Sequence, residues 1–399
     1  MTKNSKTTRD VYIIGAARTP IGGFLGTLSS FSAVSLGKIV IEEALKRAKI
    51  PRTEVDSVIM GNVLTSGLGQ APARQASLGA GLPEAVGCLT INKVCGSGLK
   101  AVMIGTQAIK AGDAETIVAG GMESMSNAPY IVERARTGLR MGHGQVLDCM
   151  IKDGLWDAYN NCHMGNCAEV CAGESGYTRE AQDQFAISSF KKAQEVQKSG
   201  GFKEEIVPVP VPQKKGDPIL VLNDEGPDKL DEKKVPLLKP SFAEKGTITA
   251  ANASSISDGA ACVVISSQDK VKSKGLAPMA RIVSYAESGM KPVYFPYAPI
   301  DAMKKALELA GLTKDQIDLW EINEAFSVVT IAGMDKLGID KSKVNIKGGA
   351  VALGHPIGAS GARILTTLLY AMKDKNARYG LATLCIGGGE AVALVVERQ

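Results

Sequence analysis

Cysteine and histidine at glycine-rich turns are the side chains of this sequence best suited to chemistry. Residues 94–98 read VCGSG, between the apolar run Thr90 to Val94 and the amphipathic stretch Leu99 to Ala111. A cysteine at a strand-to-helix turn meets the unpaired backbone N–H groups at the positive end of the helix, which stabilise a thiolate. Cys95 is therefore a candidate nucleophile, and Gly96 and Gly98 allow a sharp turn and close approach of a substrate. Residues 354–358 read GHPIG. A free cysteine is only a few per cent thiolate at neutral pH, so a base is needed, and with three histidines in the chain His355 is a natural choice. Residues 385–389 read CIGGG, placing a second thiol, Cys385, ahead of three glycines whose N–H groups can cradle an anion. One thiol for covalent catalysis and one for proton transfer would use all three residues. Asn323, in NEAF at 323–326, could position a water or donate to an oxyanion; taken alone it reads as a helix cap.

Two other chemistries are weaker. Gly96, Gly98 and Ala101 mimic a dinucleotide fingerprint, with Glu123 at roughly the right distance, but such a fingerprint opens the first βαβ unit and has no use for a cysteine in its turn. Cys162, His163, Cys167 and Cys171 cluster without the closely spaced cysteine pairs of structural zinc sites.

The elements that must position these turns read as α/β. Short apolar runs at Val11 to Gly15, Ser57 to Met60, Thr90 to Val94, Thr116 to Ala119 and Cys262 to Ile265 alternate with helical patterns such as Leu36 to Ala48, which predicts buried, largely parallel sheets. Shifting the chain by 262 places Ala44, Leu45, Ala48 and Asp56 on Ala306, Leu307, Ala310 and Asp318, and Gly96 on Gly358. Two copies of one unit follow, 1–121 with 250–275 and then 276–399, so Cys95 and His355 would face each other from equivalent helix ends. The block 122–249 differs in style. It holds the VPVPVP run of residues 207–212, an extended edge or connector, and a helix over about Arg179 to Gln197 that Thr178 can cap and Gly200 can end.

The 399 residues are 45% hydrophobic and 22% charged, which excludes a disordered or collagenous chain. A net charge of +5 with 5% aromatics suits anionic small molecules and gives no nucleic-acid groove. Eight cysteines in a chain able to bury its own core point to a reducing compartment. No run of 18 apolar residues is present, and residues 1–10 form a polar tail without the apolar stretch of a secretory signal.

Together VCGSG, NCHMG at 161–165, NAS at 252–254, NEAF, GHPIGASG at 354–361 and CIGGG resemble the thiolase family, in order and across the whole chain; AARTPIG at 16–22 and AGGMESMS at 119–126 belong to the same pattern. The resemblance implies a duplicated α/β unit in a five-layered αβαβα arrangement, with residues 122–249 as an inserted loop domain covering CoA. It implies an acetyl-CoA C-acetyltransferase: reversible Claisen condensation of two acetyl-CoA to acetoacetyl-CoA and CoA through an acetyl-cysteine. By the same likeness Cys95 is the nucleophile, His355 activates it, and Cys385 is the acid/base. His355 with a water held by Asn323, and the N–H groups of Cys95 and Gly387, would form the two oxyanion sites.

NCHMG is similar to the short-acyl members, with His163 and Met164 at the pocket, Phe326 walling it, and Ser254 meeting the pantetheine arm. Lys229, Leu230, Asp231 and Lys234 match a CoA-contacting stretch, and Phe295-Pro296 is similar to the mitochondrial type, which also accepts 2-methyl-branched substrates and binds potassium. Backbone positions matching the potassium ligands are Ala250, Ala251, Ala253 and Val351; the tyrosine expected beside them is Phe190 here. The likeness further implies a homotetramer, ketone-body and lipid metabolism, the mitochondrial matrix or alternatively the cytoplasm, acyl-CoA substrates with no tightly bound cofactor, and neither a nucleic-acid nor a membrane partner. A broad-range 3-ketoacyl-CoA thiolase is the competing reading within the family.

Overall fold

The computed structural model describes residues 9–399; most of the polar tail read at residues 1–10 lies outside them. The first copy runs β1 (Val11–Arg18), α1 (Ala33–Ala48), β2 (Ser57–Gly61), α2 (Pro72–Gly79), β3 (Gly87–Ile91), α3 (Ser97–Ala111) and β4 (Thr116–Ser124). An excursion carrying α4 (Met164–Ser175) and α5 (Arg179–Lys198) follows, and β5 (Ser257–Ser267) closes the copy. The second copy runs β6 (Ala280–Gly289), α6 (Ala298–Ala310), β7 (Leu319–Ile322), α7 (Ser327–Leu337), α8 (Ser360–Asp374), β8 (Tyr379–Ile386) and β9 (Glu390–Arg398).

Nine of these strands lie in the order β7-β8-β9-β6-β1-β5-β4-β2-β3 within one ten-stranded sheet, whose tenth member is the short Gly22–Gly23. The copies join where Tyr12 and Ile13 of β1 pair with Arg281 and Ala280 of β6. The expectation of largely parallel pairing needs correction. Only β2–β3, β2–β4 and β7–β8 are parallel, whereas β1, β5, β6 and β9 pair antiparallel. Each copy ends on a strand that doubles back on its predecessor, and a doubled-back strand needs no helical crossover. In the second copy the return is the glycine turn between β8 and β9; in the first, the long excursion occupies the same place.

Alternating side chains on these strands create separate cores. On β5, Val263 and Ile265 pack among α3 and α8, while Cys262 and Val264 pack under α1. A third core sits between α6 and the outer face of β6, β9 and β8. The layers are therefore outer helices, half-sheet, paired α3 and α8, half-sheet, outer helix. The inner helices approach closely enough to demand glycine. A Cβ on Gly98 would stand 2.7 Å from the Ala362 nitrogen, and one on Gly361 would collide with the Leu99 nitrogen. The shift of 262 carries residue 99 onto 361, so the Gly361–Leu99 contact is its own mate and lies at the pseudo-twofold axis between the copies, which is the structural meaning of the repeat.

The excursion is tied down by buried charge. Arg18, fully buried at the end of β1, donates from Nε to Glu205 at 2.6 Å and from both terminal nitrogens to Asp224 at 2.7 and 2.9 Å. Two carboxylates around one guanidinium satisfy a cation that burial alone would reject. Helix α5 is capped by Thr178, whose hydroxyl accepts from Ala181 N at 3.2 Å. Val209–Val211 forms a two-stranded ladder with Ile219–Val221, away from the main sheet, as its prolines require.

Candidate active site

Cys95 sits on a strained turn. The strand expected over Thr90 to Val94 stops at Ile91, because Val94 has φ +44, a left-handed conformation that β-branched residues resist. Ser97 holds the turn shut: its hydroxyl accepts from Lys93 N at 2.8 Å and donates to Val94 O at 2.7 Å. A Cβ on Gly96 would run into Ile386, so this turn abuts the end of β8 beside Cys385. The nucleophile candidate of one copy thus meets the second thiol of the other.

His355 approaches from the second copy. Its backbone N–H donates to Ser255 O at 3.1 Å. The Ser360 hydroxyl donates to Pro356 O at 2.9 Å and lies 2.6 Å from His355 Nδ1. With its one hydrogen spent on the carbonyl, Ser360 accepts from Nδ1–H, which leaves Nε2 bare as the basic nitrogen. Asn323 Nδ2 lies 3.5 Å from Nε2, and Arg363 donates to the Asn323 carbonyl oxygen at 3.4 Å, which orients the amide. Burial, then the Arg363 charge, pushes the imidazole down to about 3, so it is neutral across the physiological range.

The thiols are protonated too. Burial pushes Cys95 up to about 11 in spite of the backbone N–H groups of Gly387 and of Cys95 itself against its sulfur. The N–H groups at the start of α3 do not supply this stabilisation as the sequence suggested, because Gly96 N and Ser97 N donate to Lys93 O and Val94 O within the turn. Cys385 is raised well above the usual thiol value by burial and by Cys95. At neutral pH the site holds two thiols and one neutral imidazole, so deprotonation has to accompany attack. Alkylation of Cys95 by iodoacetamide should therefore rise about tenfold per pH unit from about pH 7 to about pH 9 without a plateau. Rates followed by peptide mass spectrometry check this, and a plateau near neutrality would refute the protonated resting state.

Cys95, His355, Cys385 and Gly387 line one cavity of about 440 Å³, predominantly apolar. His163, Met164, Ser254, Phe295 and Phe326 line it as well. His163 caps α4, accepting from Gly165 N at 3.1 Å, and its ring stacks on Phe242 with centroids 4.8 Å apart. Phe326 packs edge-on against both Phe242 and Phe295, at 6.0 and 6.3 Å. Ser254 N donates to Ala325 O at 3.0 Å. Asn323 is buried behind His355 and does not reach the lining.

The charged stretch lies elsewhere. Lys229 is exposed and pairs with Glu225 at 2.8 Å, Lys234 pairs with Asp231 at 3.1 Å, and neither these residues nor Leu230 lines the cavity. Of the potassium positions, Ala250 and Ala253 line the cavity while Ala251 and Val351 do not. Phe190 packs among Ile21, Phe202 and Leu353 and brings no oxygen, so the donor set is four backbone carbonyls and a phenyl ring, which does not fit a complete potassium shell.

Phe242 and Ser360 go unread in the sequence, where Glu123 enters only as part of the dinucleotide mimic. Glu123, fully buried at the end of β4, accepts from Val63 N (3.0 Å), Leu64 N (3.2 Å), Asn62 Nδ2 (2.7 Å) and Gly358 N (2.8 Å). It ties the first copy to the turn carrying His355. Burial pushes it up to about 7 against those four donors. Glu123→Gln turns an NH2 group onto two N–H donors, so we expect a loss of about 1–3 kcal/mol in urea unfolding; an unchanged midpoint would deny the tie.

The comparisons with known proteins agree with this architecture. Residues 11–269 match the model of the thiolase N-terminal domain, and residues 276–398 that of the thiolase C-terminal domain. The chain is 54% identical over 393 residues to an acetyl-CoA acetyltransferase of Cupriavidus necator, covering 98% of this chain and 100% of that one. It is 53% identical over 398 residues to acetyl-CoA acetyltransferase 2 of Arabidopsis thaliana, covering 99% of each. A crystal structure of the Acat5 thiolase from Ascaris suum in complex with coenzyme A superposes with a TM-score of 0.94 at 46% identity, over 98% of this chain and 100% of that one. Two matched domains spanning nearly every residue, on a doubled sheet that brings two thiols and an imidazole to one cavity, make this chain a member of the thiolase family.

Proposed function

We propose that the protein is an acetyl-CoA C-acetyltransferase, and the observation that carries this is the convergence of Cys95, His355 and Cys385 on one small apolar cavity. Its similarity over nearly the whole chain to proteins of that name supports the reading. Cys95 gives its proton to the bare Nε2 of His355 as sulfur attacks the thioester carbonyl. The tetrahedral adduct expels CoA thiolate, which takes its proton from Cys385 and so leaves Cys385 as thiolate, and acetyl-Cys95 remains while His355 keeps the proton that Cys95 gave up. Cys385, as thiolate, then removes a methyl proton from a second acetyl-CoA. A thiolate whose pKa burial has raised is a strong base, which a weakly acidic carbon requires. The enolate oxygen faces His355 and a water held by Asn323; its carbon attacks acetyl-Cys95, whose oxyanion meets the N–H groups of Cys95 and Gly387. Collapse releases acetoacetyl-CoA and regenerates the Cys95 sulfur, so two acetyl-CoA become acetoacetyl-CoA and CoA.

Met164, Phe295 and Phe326 set the depth of the acyl pocket in this reading, Ser254 meets the pantetheine arm, and Lys229, Leu230, Asp231 and Lys234 meet the nucleotide end of CoA once it is bound. We assign 2-methylacetoacetyl-CoA as a further thiolysis substrate, and a homotetramer of the mitochondrial matrix serving ketone-body metabolism, on the likeness of the motifs to the mitochondrial type. No step is routed through potassium. Steady-state thiolysis tests the function: acetoacetyl-CoA should exceed C8 and C10 3-ketoacyl-CoA in kcat/KM by about 10-fold or more, the scale on which a packed apolar pocket discriminates methylenes. A faster reaction with the long chains would establish the broad-range thiolase instead.

A further inference from the structure

We propose that Asp157, Cys162 and Cys167 form a binding site for a thiophilic divalent cation such as Zn2+, behind the wall of the catalytic cavity. His163 is the N-cap of α4, so Cys162 stands one residue before the cap and Cys167 is the fourth helical residue. Side chains at these two positions meet across the first turn, as in a hydrophobic staple. The two sulfurs lie 3.7 Å apart, and Cys167 Sγ lies 3.4 Å from Asp157 Oδ2. A tetrahedral ion with bonds of about 2.3 Å to sulfur and about 2.1 Å to oxygen spaces two sulfurs by about 3.8 Å and sulfur from oxygen by about 3.6 Å. The side chains already stand near three corners of that shell, with all three ligand atoms within 4.8 Å of one another.

The carboxylate is held as a ligand should be. Asp157 Oδ1 accepts from Tyr159 N at 2.8 Å and Asn160 N at 3.2 Å, while Oδ2, which also accepts from Asn160 Nδ2 at 2.6 Å, is the oxygen turned to sulfur. Such bonds fix a ligand's direction before the ion arrives. Asp157 and Cys167 are buried and Cys162 is half-buried, so the fourth corner and the approach lie on the Cys162 side. Binding would displace both thiol protons and leave that corner to water. The sequence hides this trio because its carboxylate precedes the cysteines: of the cluster first suspected, Cys171 turns to Val293 O and His163 Nδ1 accepts from Gly165. The pair brackets His163 and Met164, which line the cavity, so an ion here would fasten the strand Trp156–Asp157 to the start of α4 and stiffen the pocket wall.

The test titrates reduced full-length protein with Zn2+ alone against a chromophoric chelator, and with Cd2+ alone for its thiolate absorption. The background is the Cys95→Ala/Cys385→Ala double variant, which removes the catalytic thiols as rivals. One tight equivalent with a thiolate band is expected, weakened at least about 10-fold by Cys162→Ser or by Asp157→Asn. Cys162 is half-buried, and urea unfolding verifies that its serine variant is folded. Equal affinity and stoichiometry in the folded Cys162→Ser protein would overturn the proposal. So would a Cys162–Cys167 disulfide in freshly purified protein, seen as a peptide pair lacking two hydrogens.

Discussion

Cys95→Ser incubated with acetyl-CoA should carry no acetyl group by intact mass, and its turnover should fall by at least about 10^4-fold. The geometry explains why oxygen fails where sulfur works. The base available to it is an imidazole pushed down to about 3 by burial and Arg363, too weak to ionise an alcohol yet sufficient to accept a thiol proton as the bond forms. Serine also reaches less far from a backbone fixed by the left-handed Val94 and the Ser97 clamp, so the shorter side chain cannot swing to compensate. The folded state should be nearly unaffected, since Cys95 is partly open to the cavity. Loss of acetylation with an unchanged urea midpoint would identify the acyl carrier; acetylation of the serine protein at a comparable rate would remove Cys95 from that role.

What could be read beforehand was whatever the chain encodes locally or twice. The cap of α5 lies within one turn of its helix, and the shift of 262 residues reappears as β2 opposite β7 and α3 against α8. Strand direction was not readable, because apolar runs bounded by glycine look alike whether the next strand returns by a crossover or by a hairpin. Val94 misled for a related reason: a β-branched residue after apolar neighbours reads as strand, and only the clamp by Ser97 shows why it turns. The tying role of Glu123 was invisible because its four donors come from residues 62–64 and 358, and no spacing in one sequence reports a contact of that range. Ser360 carried a faint signal, a hydroxyl in the first turn of α8, five residues after His355. Lys229 and Lys234 are different: charge pattern reports solvent exposure, and two exposed lysines paired with Glu225 and Asp231 are what it reported.

Cys385→Ala separates the two half-reactions. Its acetylation by acetyl-CoA should survive within about 10-fold of the native rate, while condensation to acetoacetyl-CoA should fall by about 10^3-fold or more, at the upper range for losing a positioned acid/base. Cys95, His355 and the N–H of Gly387 all remain in the variant, so attack on a thioester keeps its nucleophile, its base and its oxyanion donor. Carbon deprotonation loses its base, and the nearest alternative, the His355 imidazole, is too weak to serve. Acetyl-enzyme should therefore accumulate to near stoichiometry and persist, a burst without steady turnover that rapid-quench mass spectrometry resolves. If acetylation and condensation fell together by the same factor, Cys385 would be serving the first step, and proton transfer at carbon would have to be reassigned.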